Sequence, residues 1–386
     1  MFTYYWRFFK DVAGMVRFTK TRARCQHRTS WCNAVILLIA AVGLSYPAGA
    51  SSTGPLGLPA APIPKDNRQS AAKIALGKKL FHDKRLSADG AISCATCHKP
   101  EKAFSDGLPV AEGIGKLIGT RNTPSLLNVA FLDTLFWDGR RSSLEEQALD
   151  PFVNTREHGF ENHDAILRVL RQDVEYRAAF QRVFGVKPKQ LTMQHVTKAI
   201  ASFERSLTAG DSPFDRFYYG KDKGALTPEA IRGLVLFQGR ARCVVCHQIG
   251  PKSALFTDNR FHSLGVGREA ISGRLADVTK EVFHTPRSGI DRMVSDRRDV
   301  AALGRFVVTK APRDIGQFRT PSLRNVEQTA PYMHDGSLAT LEEAVERELY
   351  YRAIESNSLI LLTPKEKADL VSFLKSLNGG YVGDDI

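Results

Sequence analysis

Cys94-Ala95-Thr96-Cys97-His98 and Cys243-Val244-Val245-Cys246-His247 constrain this chain more than anything else in it. In Cys-x-x-Cys-His, two thiolates can add to the vinyl groups of a haem while the adjacent histidine is placed to bind its iron. A lone copy would also suit a redox dithiol or half of a zinc site. Two copies, each followed by the same downstream pattern, predict two covalently bound haems c, with His98 and His247 as the proximal iron ligands.

The downstream pattern is long. After the first motif come Arg121-Asn122-Thr123-Pro124-Ser125-Leu126, Phe136-Trp137-Asp138-Gly139 and Ser143-Leu144-Glu145-Glu146. After the second come Arg319-Thr320-Pro321-Ser322-Leu323, Met333-His334-Asp335-Gly336 and Thr340-Leu341-Glu342-Glu343. Thr123 to Asp138 and Thr320 to Asp335 are both fifteen residues, and Asp138 to Leu144 and Asp335 to Leu341 are both six. This register predicts two cytochrome c-like haem domains related by internal duplication.

Residues 1–50 read as an export signal. Seven Lys or Arg and one Asp precede or flank an apolar run of eleven residues from Ala34 to Leu44, and Pro47-Ala48-Gly49-Ala50 fits small-residue cleavage. The run is well short of the roughly 20 residues that span a bilayer, so a mature chain without a membrane span is expected. Met15 offers an alternative start. Cleavage removes Cys25 and Cys32, and the other four cysteines all lie in the haem motifs, which leaves no pair for a disulfide in a periplasmic protein. The formal charge falls from +13 to +7 in the 336 residues that remain, and four haem propionates would bring it near +3, which gives no case for nucleic acid.

The mature chain is long enough for two domains, an N-terminal one at 51–215 and a C-terminal one at 216–386. An arm rich in Pro, Gly and Ala (51–64) should run extended over the surface. Apolar spacing predicts helices over 71–81, 165–184 and 191–207, and residues 210–224 read as the linker. Thr227-Pro228-Glu229 and the capping box Thr363-Pro364-Lys365-Glu366 each open a helix of the second half. Alternating β patterns are scarce, so the fold is expected to be mainly α.

Across residues 74–377, these motifs and spacings resemble the bacterial di-haem cytochrome c peroxidases and their MauG-type relatives. The resemblance implies that the N-terminal haem reacts with peroxide, that the C-terminal haem stores or relays electrons, and that a calcium ion lies between the domains. By the same resemblance, Trp137 matches a tryptophan between the haems, Glu157 the distal acid, and Pro151 a proline crowding the open haem face. His158 is the second choice for the acid's role. Cleavage of peroxide needs a group that takes a proton from one oxygen and delivers it to the other, which a carboxylate in a partly dry pocket can do. Asn122, Thr329 and Pro331 match the calcium-binding positions, the last two through carbonyl oxygens, and hard oxygen ligands suit that ion.

Two positions depart from the family pattern. Ile114 stands where peroxidases that need prior reduction carry a displaceable histidine, which implies a first haem open to peroxide in the oxidised protein. At the second haem, the distal ligand should lie seventeen residues beyond Pro331, at Glu348. A two-residue helix extension would bring Tyr350 there instead, and Tyr350 is the first choice, with Glu348 second. A methionine ligand is not expected.

Three functions fit these readings. A MauG-like enzyme would use hydrogen peroxide to oxidise a periplasmic partner protein. A cytochrome c peroxidase would reduce peroxide with electrons from a small donor, a cytochrome c or cupredoxin. A non-catalytic di-haem electron carrier would leave Glu157 without purpose and ranks last.

Overall fold

The computed structural model describes residues 54–382, so the leader read at 1–50 lies outside the described residues. In the first half, Ser70 starts α1 (Ala71–His82) by accepting the Lys73 N–H, and Leu76, Leu80 and Phe81 fall on its buried face. The first cysteine pair lies in a single turn, α2 (Cys94–Cys97). Two more single turns, α3 (Leu144–Gln147) and α4 (Asp150–Val153), lead to α5 (Asp164–Gln172) and α6 (Val174–Phe184). The helix expected over 165–184 is therefore two helices. Asp173, in an extended conformation, ends α5 and caps α6 by accepting the Glu175 and Tyr176 N–H groups, the role that makes Asp a poor interior residue. Returning across α1, α7 (Met193–Glu204) passes so close that a Cβ added to Gly77 would stand 2.0 Å from the Ala199 carbonyl oxygen.

Residues 210–224 are not the irregular linker their composition predicts. β1 (Thr208–Gly210) is followed by α8 (Pro213–Tyr218), opened by a capping box of Ser212 and Asp215, and the expected boundary after 215 falls inside this helix. Fully buried Asp215 accepts both ends of the buried Arg324 guanidinium at 2.8 and 2.9 Å. The arm at 51–64 is drawn in as well: Arg324 donates to the Gly57 carbonyl at 2.8 Å, and Leu58 is buried. A buried guanidinium must fill its donors, and that need overrides the arm's local tendency to run over the surface.

In the second half, Thr227 caps α9 (Pro228–Gln238), and β2 (Phe261–His262) follows the second cysteine pair. Then come α10 (Leu275–His284), α11 (Arg287–Asp296), α12 (Arg298–Ala301) and α13 (Phe306–Thr309). β3 (Phe318–Arg319), α14 (Leu341–Glu355), α15 (Pro364–Lys375) and β4 (Gly380–Val382) complete the order. Here α15 crosses α9 as α7 crosses α1, with a Cβ added to Gly233 standing 2.0 Å from the Asp369 carbonyl oxygen. Strands are few, as expected for a mainly α fold. β2 pairs antiparallel with β3, and β1 pairs antiparallel with β4, Ala209 facing Tyr381, so the end of the chain closes on the first half.

Each helix pair carries a core, and α10–α13 carry a third, built on Val278, Val282, Ile290, Val294, Leu303 and Phe306. This third core is an insertion: His98 to Arg121 takes 23 residues, whereas His247 to Arg319 takes 72. The insertion belongs to the second half by sequence but packs on the first. Thr120 donates to the Val294 carbonyl at 2.7 Å, Arg121 to that of Ala301 at 2.8 Å, and Arg305 to that of Gly139 at 2.8 Å. No helix of the described residues is long and apolar enough to cross a membrane.

Candidate active site

The two cysteine motifs are held alike. Cys94 and Cys97 lie in the turn α2, Cys243 and Cys246 in a 3-10 turn, and none of the four is in a disulfide. The Cys94, Cys97 and Cys243 side chains are half-buried, and burial pushes the Cys94 thiol upward and the Cys97 and Cys243 thiols up to about 12, so these sulfurs are held as neutral groups. His98 donates from Nδ1 to the Phe104 carbonyl and His247 from Nδ1 to the Phe256 carbonyl, each at 2.9 Å. Phe104 and Phe256 both take positive φ, 58° and 51°, which turns the chain back toward its histidine. Burial holds both imidazoles below their ordinary range, His247 at about 4. Each ring is thus neutral, fixed by one nitrogen and left with Nε2 to bind a metal.

Around the first pair, Glu157 is the acid that acts on both cysteines. Both Cys94 and Cys97 feel its charge. Burial, with a smaller push from Asp150 and against the pull of Arg140 and the Asn154 N–H, raises its carboxyl to about 7. Pro151 shares the turn, its carbonyl accepting the His158 N–H at 3.2 Å. His158, the second choice, is buried, and its Nδ1 donates to the Leu86 carbonyl at 2.7 Å, which leaves only Nε2 for proton transfer. The Ile114 N–H donates to the Glu157 carbonyl at 3.0 Å, so the loop that carries it is pinned to the Glu157 turn.

Sequence reasoning missed a second acid here. Glu204, at the end of α7, is only 5% exposed, and among the described residues its Oε2 has no hydrogen-bond partner. Burial raises its carboxyl to about 8, Arg205 opposing and Glu145 assisting, and Cys94 feels its charge. The signal available was positional: Gly77 meets Ala199 and Phe203 as Gly233 meets Asp369 and Phe373, so Glu204 stands where the second half has Leu374.

Around the second pair lies a cavity that also reaches into the first half. Its lining includes Cys243, Cys246, His247, His334, Leu374 and Glu348, together with Asn122 and Trp137. The Trp137 indole N–H donates to the Asn122 carbonyl at 2.9 Å, while the Trp137 carbonyl accepts the Arg319 N–H at 2.9 Å, so this residue is tied to both halves. Asp138 behind it is fully buried; burial alone would raise its carboxyl, but Arg140 and Arg121 outweigh that and hold it at about 2.

The order of the two distal candidates is reversed. Glu348 lines the cavity and Cys243 feels its charge, whereas Tyr350 is 62% exposed and packs edge-on against Tyr351. No extension occurs within α14, and residues two apart on a helix point about 200° apart. Leu341, Ala344, Val345, Glu348 and Arg352 fall on the stripe that faces the cavity. Met333, in a turn with φ 73°, lines it too, a placement the sequence reading did not expect.

The residues fit a haem at each cysteine pair. The strongest sign at the second is Arg319: it is 5% exposed, burial holds its guanidinium down at about 10, and its Nε has no partner among the described residues. A buried cation facing a cavity suits the carboxylates of a haem rim. His262 lines the same wall and donates to Asp258 at 2.8 Å. A thiol at Cys246 would make those three a metal-binding group, but a thioether there removes the thiolate and leaves the His–Asp pair. Asn122, Thr329 and Pro331, the calcium candidates, line this cavity together, and neither the Thr329 nor the Pro331 carbonyl accepts a backbone hydrogen bond among the described residues.

Comparison with known proteins gives consistent results. A family described as di-haem cytochrome c peroxidase matches residues 71–223. Cytochrome-c peroxidase IdrP1 of Pseudomonas sp. (strain SCT) is 38% identical over 359 residues, covering 89% of this chain and 91% of its own. Methylamine utilization protein MauG of Methylophilus methylotrophus is 35% identical over 329 residues, covering 83% and 86%. Among solved structures, a MauG-like protein associated with microbial copper homeostasis superposes with a TM-score of 0.68 at 32% identity, covering 85% of this chain and 95% of that one.

Proposed function

Because this chain belongs to the di-haem cytochrome c peroxidase family and is an oxidoreductase of that kind, we propose that it reacts with hydrogen peroxide at the first haem c and passes the oxidising equivalents through the second to a partner protein. The reading rests on the half-buried Glu157, whose charge is felt at Cys94 and Cys97, set against a second site that Trp137 joins to the first. Haem bound at these positions supplies iron for peroxide and a ring system that shares charge. The chain's own residues do the rest. His98 and His247 present Nε2, Glu157 moves a proton between the peroxide oxygens, Pro151 crowds the pocket beside it, and Trp137 bridges the halves.

The two haem domains arise, on this reading, by duplication of one unit. The first ends with β1 and the second opens with α8. Support comes from Asn128 and Asn325, both at positive φ and donating at 2.9 Å to the carbonyls of Ala209 and Gly379. Asn122, Thr329 and Pro331 would hold calcium at the junction. The leader pattern at 1–50 supports a periplasmic location, where its partner would be found.

Glu348 at the second site favours protein oxidation, because a hard carboxylate ligand disfavours the reduced iron that a donor-driven peroxidase needs. Met333 on the same cavity wall favours the second reading, a cytochrome c peroxidase fed by a cytochrome c or cupredoxin. The deciding experiment adds stoichiometric peroxide to the fully oxidised protein and follows both haem spectra. Concerted change in both haems, lost in Trp137→Phe and discharged slowly by reduced cytochrome c, supports protein oxidation. Rapid discharge by reduced cytochrome c supports the peroxidase.

A further inference from the structure

The insertion α10–α13 reaches the first site at one side chain. Asn154, at the end of α4, donates from Nδ2 to Glu157 Oε1 at 2.5 Å. Its Oδ1 accepts two hydrogen bonds, from the Arg156 N–H at 3.0 Å and from the Ser295 hydroxyl on α11 at 2.6 Å. Those two donors fix which end of the amide is which: the reversed orientation would set N–H against N–H and O–H, and would turn a carbonyl oxygen onto the carboxylate. The main chain of Asn154 is also tied to this turn, its carbonyl accepting the Glu157 and Gly159 N–H groups at 3.1 and 2.9 Å.

We propose that Asn154 and Ser295 are positioning residues for Glu157, so that the second half of the chain, through its insertion, sets the working orientation of the acid in the first. This rests on the reading of Glu157 as the proton-transfer group. With Oε1 occupied by the amide N–H, Oε2 is the oxygen left to meet peroxide. The neighbouring Arg156 to Asp296 ion pair, at 3.0 Å, attaches the insertion mechanically, but it does not touch the Glu157 carboxyl. Only the Ser295 to Asn154 bond carries the attachment to the carboxyl itself. The bond also favours the carboxylate over the acid, because an N–H donor stabilises the charged form. The charged groups around Glu157 are Arg140 and Asp150 on its own half and, from α11, Asp291, which pairs with Arg140 and Arg141, and Asp296, which pairs with Arg156.

The test uses the di-haem protein and two readouts: the rate of the peroxide-induced spectral change from pH 5 to 9, and the infrared carboxyl band that disappears in Glu157→Gln. In Asn154→Ala the band's midpoint should move up by about one pH unit and the rate at pH 7 should fall about five-fold, because the carboxylate fraction at that pH drops from about a half to about a tenth. Ser295→Ala should move both in the same direction by about three-fold in rate. Ser295→Thr, which keeps the hydroxyl, should restore them. The double variant should be no worse than Asn154→Ala, and Asn154→Ala should add nothing in a Glu157→Gln background. If Glu157→Gln slows the reaction while Asn154→Ala leaves band and rate unchanged, the positioning role is overturned and the role of Glu157 stands. If Glu157→Gln itself has no effect, the underlying reading has failed. Should Asn154→Ala fail to retain haem, Ser295→Ala against Ser295→Thr decides: equal behaviour of those two would overturn the proposal.

Discussion

The two haem sites share their proximal side and differ on nearly everything that faces it. In both, a histidine Nδ1 is held at 2.9 Å by the carbonyl of a phenylalanine at positive φ, and in both a glycine lets two helices cross in contact. The surroundings of the first cysteine pair are acidic, with the Glu157 and Glu204 carboxyls both raised by burial. What faces the second is a cavity where Leu374 takes the place of Glu204 and Arg319 Nε has no partner among the described residues. Elements common to both halves fix a cofactor. The elements found in one half alone, the insertion and the buried acids, set what each cofactor can do, since a proton donor is useful only where a bond to oxygen is to be broken.

The largest break in this comparison comes from the cysteines. Denatured protein should retain two haems and show no free thiol. Cys94→Ser with Cys97→Ser should leave one haem and abolish the peroxide reaction, whereas Cys243→Ser with Cys246→Ser should leave one haem that still reacts. Haem content after denaturation and the peroxide-induced spectrum check both, and equal loss of reactivity from the two pairs would erase the asymmetry.

Glu204 tests whether the acid in place of Leu374 strains the first site. Its carboxyl sits at about 8 in the folded protein against an ordinary value of 4.5. A raised value means that the stability tied to this group is complete below about pH 4.5 and is lost as the pH rises through 8, by on the order of 5 kcal/mol. Glu204→Gln should flatten that stretch of the stability profile, measured as denaturation midpoints from pH 5 to 9. A profile unchanged by the substitution would mean that Glu204 is not buried as a neutral acid.

Next in size is Glu157. With its carboxyl at about 7, the peroxide reaction should speed up as the pH rises through 7 and the carboxylate forms. Glu157→Gln should slow it by about 10²-fold and remove the pH dependence, the lower end of what a placed acid–base group contributes. Stopped-flow traces across that range check this, and an unaltered rate would transfer the role to His158. The smallest expected effect separates the candidates on α14: Glu348→Gln should change the absorption spectrum of the second haem, and Tyr350→Phe should change nothing.

Much of this was legible in the sequence because it is local. The cysteine motifs and the helix starts at Thr227 and Thr363 depend on residues within one turn, and both threonines accept the N–H three residues on. Glu348 was legible too, since it continues the i, i+3, i+4, i+7 stripe from Leu341, and the preference for Tyr350 set that periodicity aside. The rest depends on pairings that no local pattern encodes. Asp215 and Arg324 lie 109 residues apart, Asn154 and Ser295 lie 141 apart, and the core of α10–α13 has no counterpart among the described residues of the first half.

The pairing of β4 with β1 carries a distant part of the chain to the first histidine. Tyr381 lies edge-on to Phe104, 5.4 Å between ring centroids, and the Phe104 carbonyl is what holds His98. The surroundings of the first histidine therefore include a residue 283 positions further along the chain. Removing β4 should loosen the Phe104 ring and, through its carbonyl, the hold on His98.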